Sequence, residues 1–364
     1  NDYNAENPDA QIPVPSEENG YSMCISDFQK MLEYFKGKVA SGGYPMAVRN
    51  TSALINPILV AFDIYQEWVD IDGKLTYFME QPGFEEYGKF IDNLYDTDLL
   101  YYAKTPQDTN DITMMQDGRA GVCLANHWEA LNIEKVSAPE GADINAYTDD
   151  NFGYMAALVP DEYKGDASAV RVFSSQYVDQ YGVIPVHNTA QQVAGAVDFV
   201  DKKLDKELFL ELSIGVEGDT FEIRDGEYYP ILGAEHFDKM TYADKFLNGT
   251  IMEDYSKYWL ARARKSQAQE KIFFTINYNI DNTGIKSPVT MMPPNDVYNE
   301  YWSKVNSELN ATLILNLFDK ATTYDQSAVI ATWERFNGPD VAEAVNEWYA
   351  TWSSKDDFNT VKPR

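Results

Sequence analysis

Asn126, His127 and Trp128 are the side chains whose types and spacing best suit binding chemistry. They directly follow the apolar run 121–125 (GVCLA), which has the length of a buried strand. An amide, an imidazole and an indole at a strand end place hydrogen-bonding groups beside a flat apolar face, which suits a polyhydroxylated small molecule. The alternative is that Trp128 begins the next helix and packs in the core. Residue types alone favour the core position slightly.

A second polar segment follows another short predicted strand, residues 46–48. Arg49, Asn50 and Thr51 come directly after it and precede a helical segment. Backbone N–H groups and polar side chains at such a junction can hold a ligand together. An ordinary helix cap by Asn50 or Ser52 is an equally good interpretation.

Catalytic and metal-binding patterns are absent from the sequence. Three histidines and no G-x-S-x-G motif argue against a nucleophilic triad, and P-loop, G-x-G-x-x-G and H-E-x-x-H motifs are missing. Sugar hydrolysis needs two carboxylates roughly 5 to 10 Å apart, and no pair among the 58 acidic residues is marked by its surroundings. Residues 277–281 resemble a calcium loop, but Asn282 stands where that loop needs glycine, so we predict a turn. We therefore expect a binding protein with no metal and no cofactor.

Length and charge narrow the class of protein further. A chain of 364 residues is long enough for two domains, and no run approaches the roughly 20 apolar residues of a membrane span. The net charge of −29 repels polyphosphate and anionic lipid, so nucleic acid is not an expected partner. Cys24 and Cys123 form no metal-spaced cluster, and Cys123 is predicted to be a buried free thiol.

Several local patterns predict elements outside these sites. Asn295 is predicted to cap the first of the closing helices, and residues 220–229 read as a hairpin with an Asp-Gly turn. Asn188, with Gln191 three residues on, is predicted to cap another helix. The predicted buried face of that helix consists of Val193, Ala196, Val197, Val200 and Leu204.

A family resemblance follows from the order of the motifs. Residues 117–128 contain D-G-R-A-G, a hydrophobic strand and a tryptophan, and so resemble the extracellular solute-binding proteins of bacterial ABC importers. The similarity is strongest to the carbohydrate-binding and LipO-like lipoprotein group. Further stretches match in the same order and bring the resemblance to most of the chain: 84–100, 181–212, 215–218 (GVEG), 225–226 (DG) and 291–352.

The resemblance implies an α/β, two-lobed periplasmic-binding-protein-like fold of type II. It implies an α/β lobe over residues 1–173, with a polar, loosely ordered lead-in at 1–19. Residues 174–285 would form part of the second lobe after a hinge at 174–183, and 286–364 would return as closing helices. Strands are expected near Met46, Val122 and Met155 in one lobe and near Val183 in the other. Compared with a full-length relative, the opening part of the first lobe is expected to be missing.

The resemblance also assigns a role to the residues that directly follow the buried strand. In relatives an aromatic at this step stacks on the ligand, and Trp128 occupies that place. The other ligand contacts expected are Asn126, His127, Arg49, Asn50, Thr51, Gln176 and Met291.

The function implied is solute binding for import, not catalysis. The expected solute is a mono- or oligosaccharide, bound between the lobes and delivered to the membrane permease subunits of the transporter. A peptide or another small solute is the alternative, followed by a carbohydrate-active enzyme with an unrecognised carboxylate pair. We expect a monomer that is anchored to the cell surface as a lipoprotein or is periplasmic.

Overall fold

The computed structural model describes residues 2–49, 54–103, 111–125, 129–143, 152–174, 183–231, 255–354, 358 and 361–364. The chain forms two compact units. Unit 1 comprises Asn1–Ala125, Gly153–Tyr177 and Thr275–Arg364, and unit 2 comprises Asn126–Phe152 and Val178–Phe274. Residues 126–152 thus group with unit 2 and 275–285 with unit 1, while the lobe boundaries at 173/174 and 285/286 stay a prediction.

The described strands are short, with lengths of two to five residues. In chain order they are β1 Ser22–Cys24, β2 Tyr44–Val48, β3 Trp68–Ile71, β4 Lys74–Tyr77, β5 Leu100–Tyr102, β6 Ala120–Cys123, β7 Ala157–Val159, β8 Val172–Phe173, β9 Phe221–Arg224, β10 Glu227–Pro230 and β11 Gly284–Ile285.

The described α-helices alternate with these strands over much of the chain. They are α1 Asp2–Glu6, α2 Ile25–Lys36, α3 Asn56–Leu59, α4 Phe84–Asp96, α5 Asp111–Gln116, α6 Ala130–Glu134, α7 Ala190–Lys203, α8 Lys206–Ile214, α9 Tyr255–Ala263, α10 Gln267–Ile276, α11 Ile280–Thr283, α12 Asp296–Leu317, α13 Gln326–Arg335 and α14 Gly338–Thr351.

A parallel three-stranded sheet, in the order β5-β2-β6, positions the candidate site. Met46 in β2 is aligned with Leu100 on one side and Val122 on the other. Met46 and Leu100 are buried, because the apolar side chains of a parallel sheet are covered on its faces. The strands predicted near Met46 and Val122 are therefore confirmed, and β7 confirms the one predicted near Met155.

The closing helices pack on the same unit. Asn295 caps α12 by accepting a hydrogen bond from the Tyr298 N–H at 3.0 Å. The buried stripe of α12 has helical spacing and joins the core that contains Met46 and contacts Val122; its members are Val305, Leu309, Leu313 and Leu317. Both the cap and the packing of these helices with Val122 are as predicted.

Unit 2 has its own small apolar cluster. Phe209 of α8 and Phe221 of β9 are buried together with Tyr258 of α9. The β9–β10 hairpin turns at Asp225 and Gly226, which both have positive φ, as its tight turn requires. The predicted Asp-Gly hairpin is confirmed.

Helix α7 differs from its prediction in two respects. Thr189, not Asn188, is the N-cap, and it forms a reciprocal capping box with Gln192. The predicted buried face is largely solvent-exposed: Val193 is 37% exposed, Val197 55%, Val200 42% and Leu204 44%. Helical periodicity identifies an apolar stripe, but it does not show what covers that stripe. We call Val193, Val197, Val200 and Leu204 the α7 stripe.

Three other predictions are wrong. Residues 183–186 are irregular rather than a strand, and Val183 is 82% exposed. The lead-in is ordered, because the Asn4 amide exchanges hydrogen bonds with the backbone of Ile12, which is buried. The third is the burial predicted for Cys123: its thiol is free, as predicted, but half-buried.

Candidate functional site at the ends of two parallel strands

The candidate site begins where β2 and β6 end side by side. The two strands are parallel, and Ala47 is aligned with Cys123. The residues that follow them, Arg49 and Leu124, therefore leave the sheet at the same edge. In open α/β sheets, ligands bind outside this carboxyl edge.

Arg49 connects the two strand ends. Its Nε donates a hydrogen bond to Oδ1 of Asp111 at 3.0 Å, and its Nη2 donates to the Leu124 carbonyl oxygen at 3.4 Å. The Asp111 side chain is fully buried, whereas that of Arg49 is 29% exposed. A buried carboxylate needs a charged or hydrogen-bonding partner, and the guanidinium supplies it.

Asp111 also supports the start of helix α5. Its Oδ1 accepts a hydrogen bond from the N–H of Ile112 at 2.9 Å. One carboxylate oxygen thus contacts both the helix start and the arginine that holds the end of β6. Arg49, predicted as a ligand contact, therefore has a defined role in fixing the strand edge.

The remaining predicted contacts divide into two groups. Met291 ends the 3₁₀ helix Pro288–Met291, between β11 and α12, and is 38% exposed. The others lie outside the described residues, so they stay predictions: Asn50, Thr51, Asn126, His127, Trp128 and Gln176.

Sequence reasoning missed Asp111 and the Leu124 carbonyl. The position of Asp111 at the start of a helix is a recognisable signal, because aspartate is favoured in the first helical turn. Its pairing with Arg49, 62 residues away in sequence, could not be read from local pattern.

The calcium-like segment forms a turn at residues 277–279, as predicted, and its last residues begin helix α11. Asn279 has positive φ, and its Oδ1 accepts a hydrogen bond from Nδ2 of Asn282 at 2.6 Å. Within the described ranges, no cluster of histidine, cysteine, aspartate and glutamate side chains could hold a metal ion. The described helices also include none that is long and apolar enough to cross a membrane.

Comparison with known proteins gives one distant curated relative. No family model matches the chain. An uncharacterised protein encoded in the butB 5′ region of Niallia circulans is 27% identical over 268 residues, which cover 72% of this chain and 98% of that protein.

Solved structures with a similar fold are the second finding. An HMO-binding, ABC-transporter-associated solute-binding protein from Bifidobacterium longum infantis aligns with a TM-score of 0.59 at 12% identity, over 94% of this chain and 71% of that one. The alginate-binding protein AlgQ2 aligns with a TM-score of 0.53 at 12% identity, over 93% and 68%. At these identities the likeness concerns the fold. The chain has the mixed α/β, two-lobed fold of solute-binding proteins.

Proposed function

We propose that this chain is the extracellular solute-binding component of an ABC importer and that its solute is a mono- or oligosaccharide. The observation that carries the proposal is the fold, which it shares with an HMO-binding and an alginate-binding protein. The strand edge held by Arg49, Asp111 and Leu124 supports it, because this is where such folds bind ligands.

The proposed mechanism is ligand-induced closure. A solute that makes additional contacts only when the two lobes close shifts the hinge equilibrium towards the closed state. The closed protein would then deliver the solute to the permease subunits. We further propose that a lipoprotein anchor holds the protein at the cell surface.

A panel of oligosaccharides tests the proposed function. A sugar that binds only the folded state raises the melting temperature and gives a saturable calorimetric titration. Turnover of a sugar at enzyme-like rates, or no binding of any sugar in the panel, would contradict the proposal.

Replacing Trp128 with alanine is expected to weaken sugar binding by about 1 to 3 kcal/mol, because the stacked indole buries apolar area against the sugar ring. The melting temperature should change little if the indole is partly exposed without ligand. Trp348→Ala is the control, since this half-buried indole of α14 stacks on Trp352 and has no proposed ligand contact. Unchanged affinity together with a large loss of stability would show that Trp128 is a core residue.

A further inference from the structure

A cavity of about 280 Å³ lies in unit 1, between the segment that precedes β3 and helix α12. Its volume is near the lower end of the roughly 300–1,000 Å³ range typical of ligand pockets. Its polar lining consists of the side chains of Gln66, Glu67, Asn306, Ser307 and Asn310. We call it the Glu67 cavity. No ligand contact was predicted for any of these residues.

Glu67 distinguishes this cavity from an ordinary surface groove. Within the described part of the chain, its carboxylate makes no hydrogen bond and no ion pair. Burial raises the pKa of the Glu67 carboxyl. The pKa of Tyr298 is raised by burial and then by the negative charge of Glu67. Because Glu67 lines the cavity, its carboxylate supplies acceptor oxygens and negative charge there, and a ligand that donates hydrogen bonds would stabilise it.

Side chains that donate and accept hydrogen bonds line the same cavity. The Tyr77 hydroxyl donates to Oδ1 of Asn306 at 3.3 Å, and this bond leaves the Asn306 amide N–H groups to serve as donors. Ser307 and Asn310 are exposed on the same side of α12. Amides and hydroxyls both donate and accept hydrogen bonds, as the hydroxyl groups of a sugar do. The polar lining therefore matches a ring that carries several hydroxyl groups.

An apolar wall completes the cavity. It consists of Leu54, Tyr77, Phe78, Leu309 and Leu313. Leu309 and Leu313 are each only 1% exposed, so this wall is continuous with the core and is rigidly held. An apolar wall opposite polar groups fits the C–H face of a sugar ring.

Along the chain, Leu54, one of the lining residues, directly follows residues 50–53, which include the predicted contacts Asn50 and Thr51.

We propose that the Glu67 cavity binds one neutral sugar unit of the solute, with the Glu67 carboxylate accepting hydrogen bonds from its hydroxyl groups. This inference rests on the proposed function and adds a site and a preference to it. The cavity lining contains no lysine or arginine, and the chain carries a net charge of −29. A uronic acid would place its carboxylate beside that of Glu67, so neutral sugars bind and acidic ones are rejected.

Calorimetry with neutral oligosaccharides and with oligouronates of equal length tests the preference. Neutral sugars should bind the wild-type protein, and oligouronates should bind at least about tenfold more weakly because like charges would meet. Glu67→Gln should weaken binding of neutral sugars by about tenfold, as expected for a lost hydrogen bond to a charged acceptor. Glu80→Gln is the matched control, because this exposed glutamate lies 13 residues further on, outside the cavity lining.

A second variant fills the cavity without changing its carboxylate. Ser307→Phe, at an exposed position of α12, should abolish sugar binding while the melting temperature stays close to that of the wild type. If no sugar binds the wild-type protein, the proposed function fails together with this inference. If neutral sugars bind the wild type, Glu67→Gln and Ser307→Phe equally well, or if oligouronates bind as tightly as neutral sugars, only this inference is overturned.

Discussion

Replacing Trp333 with alanine is expected to lower the free energy of unfolding by about 3 to 5 kcal/mol, the range for a large aromatic removed from a core. Trp333 is 2% exposed. Its ring stacks on Tyr77 at a centroid distance of 5.1 Å and lies 6.2 Å from the ring of Trp68. A Cβ at Gly338 would be 2.0 Å from Cδ2 of Trp333, so the indole packs directly on helix backbone. Little rearrangement could fill the space that it leaves.

Urea denaturation followed by circular dichroism measures this loss. Trp348→Ala again serves as the control, because its indole is only half-buried. We expect it to lower the free energy of unfolding by about 1 to 2 kcal/mol, since less apolar area is removed from the interior. Equal losses for the two variants would show that the packed rings of Trp333, Tyr77 and Trp68 are not the centre of the unit 1 core.

Replacing Asp111 with asparagine is expected to lower the free energy of unfolding by about 3 kcal/mol, because it leaves the Arg49 guanidinium without its buried counter-charge. This value is near the lower end of the range for broken buried ion pairs, because Arg49 is 29% exposed and water can partly solvate it. The Leu124 carbonyl would also lose a well-positioned donor. We therefore expect weaker sugar binding as well.

The turn that follows α5 provides a matched control for this variant. Asp117 pairs with Arg119 at 2.9 Å, but its side chain is 52% exposed. Asp117→Asn should change the free energy of unfolding by less than about 1 kcal/mol, as for other surface ion pairs. Thermal and urea unfolding of both variants, with sugar titrations, make the comparison. If the two aspartates prove equivalent, the strand edge does not depend on the Arg49–Asp111 pair.

Much of the fold could be predicted from local pattern. The apolar runs that became β2 and β6, the Asn295 cap and the turn at Asp225 and Gly226 each depend on a few neighbouring residues. Their physical causes, which are a short apolar run of strand length, capping and positive φ, act within one element. Such features are visible in a single sequence.

The predictions that proved wrong share a different cause. The α7 stripe and residues 183–186 have the composition of buried elements, but burial depends on a partner surface that local pattern does not specify. The lead-in was predicted to be loosely ordered because local pattern does not show that Asn4 bonds to Ile12, eight residues further on.

The candidate site was only partly predictable for the same reason. Strand ends mark an edge, and Arg49 follows one of them, but its partner Asp111 comes from a different part of the chain. Glu67 is one of 58 acidic residues, and nothing in the adjacent sequence identifies it as a binding residue. Glu67 becomes a candidate binding residue because α12 places Asn306 and Asn310, about 240 positions further along the chain, at the same cavity.

The α7 stripe gives the protein a colloidal behaviour that depends on ionic strength. The net charge of −29 keeps molecules apart when the screening length is long, roughly 30 Å at 0.01 M salt. At about 1 M salt that length falls to roughly 3 Å, and the exposed valines and leucine of two molecules can meet. Light scattering should therefore show dispersed particles in dilute buffer and growing ones in concentrated salt, the reverse of association driven by ion pairs.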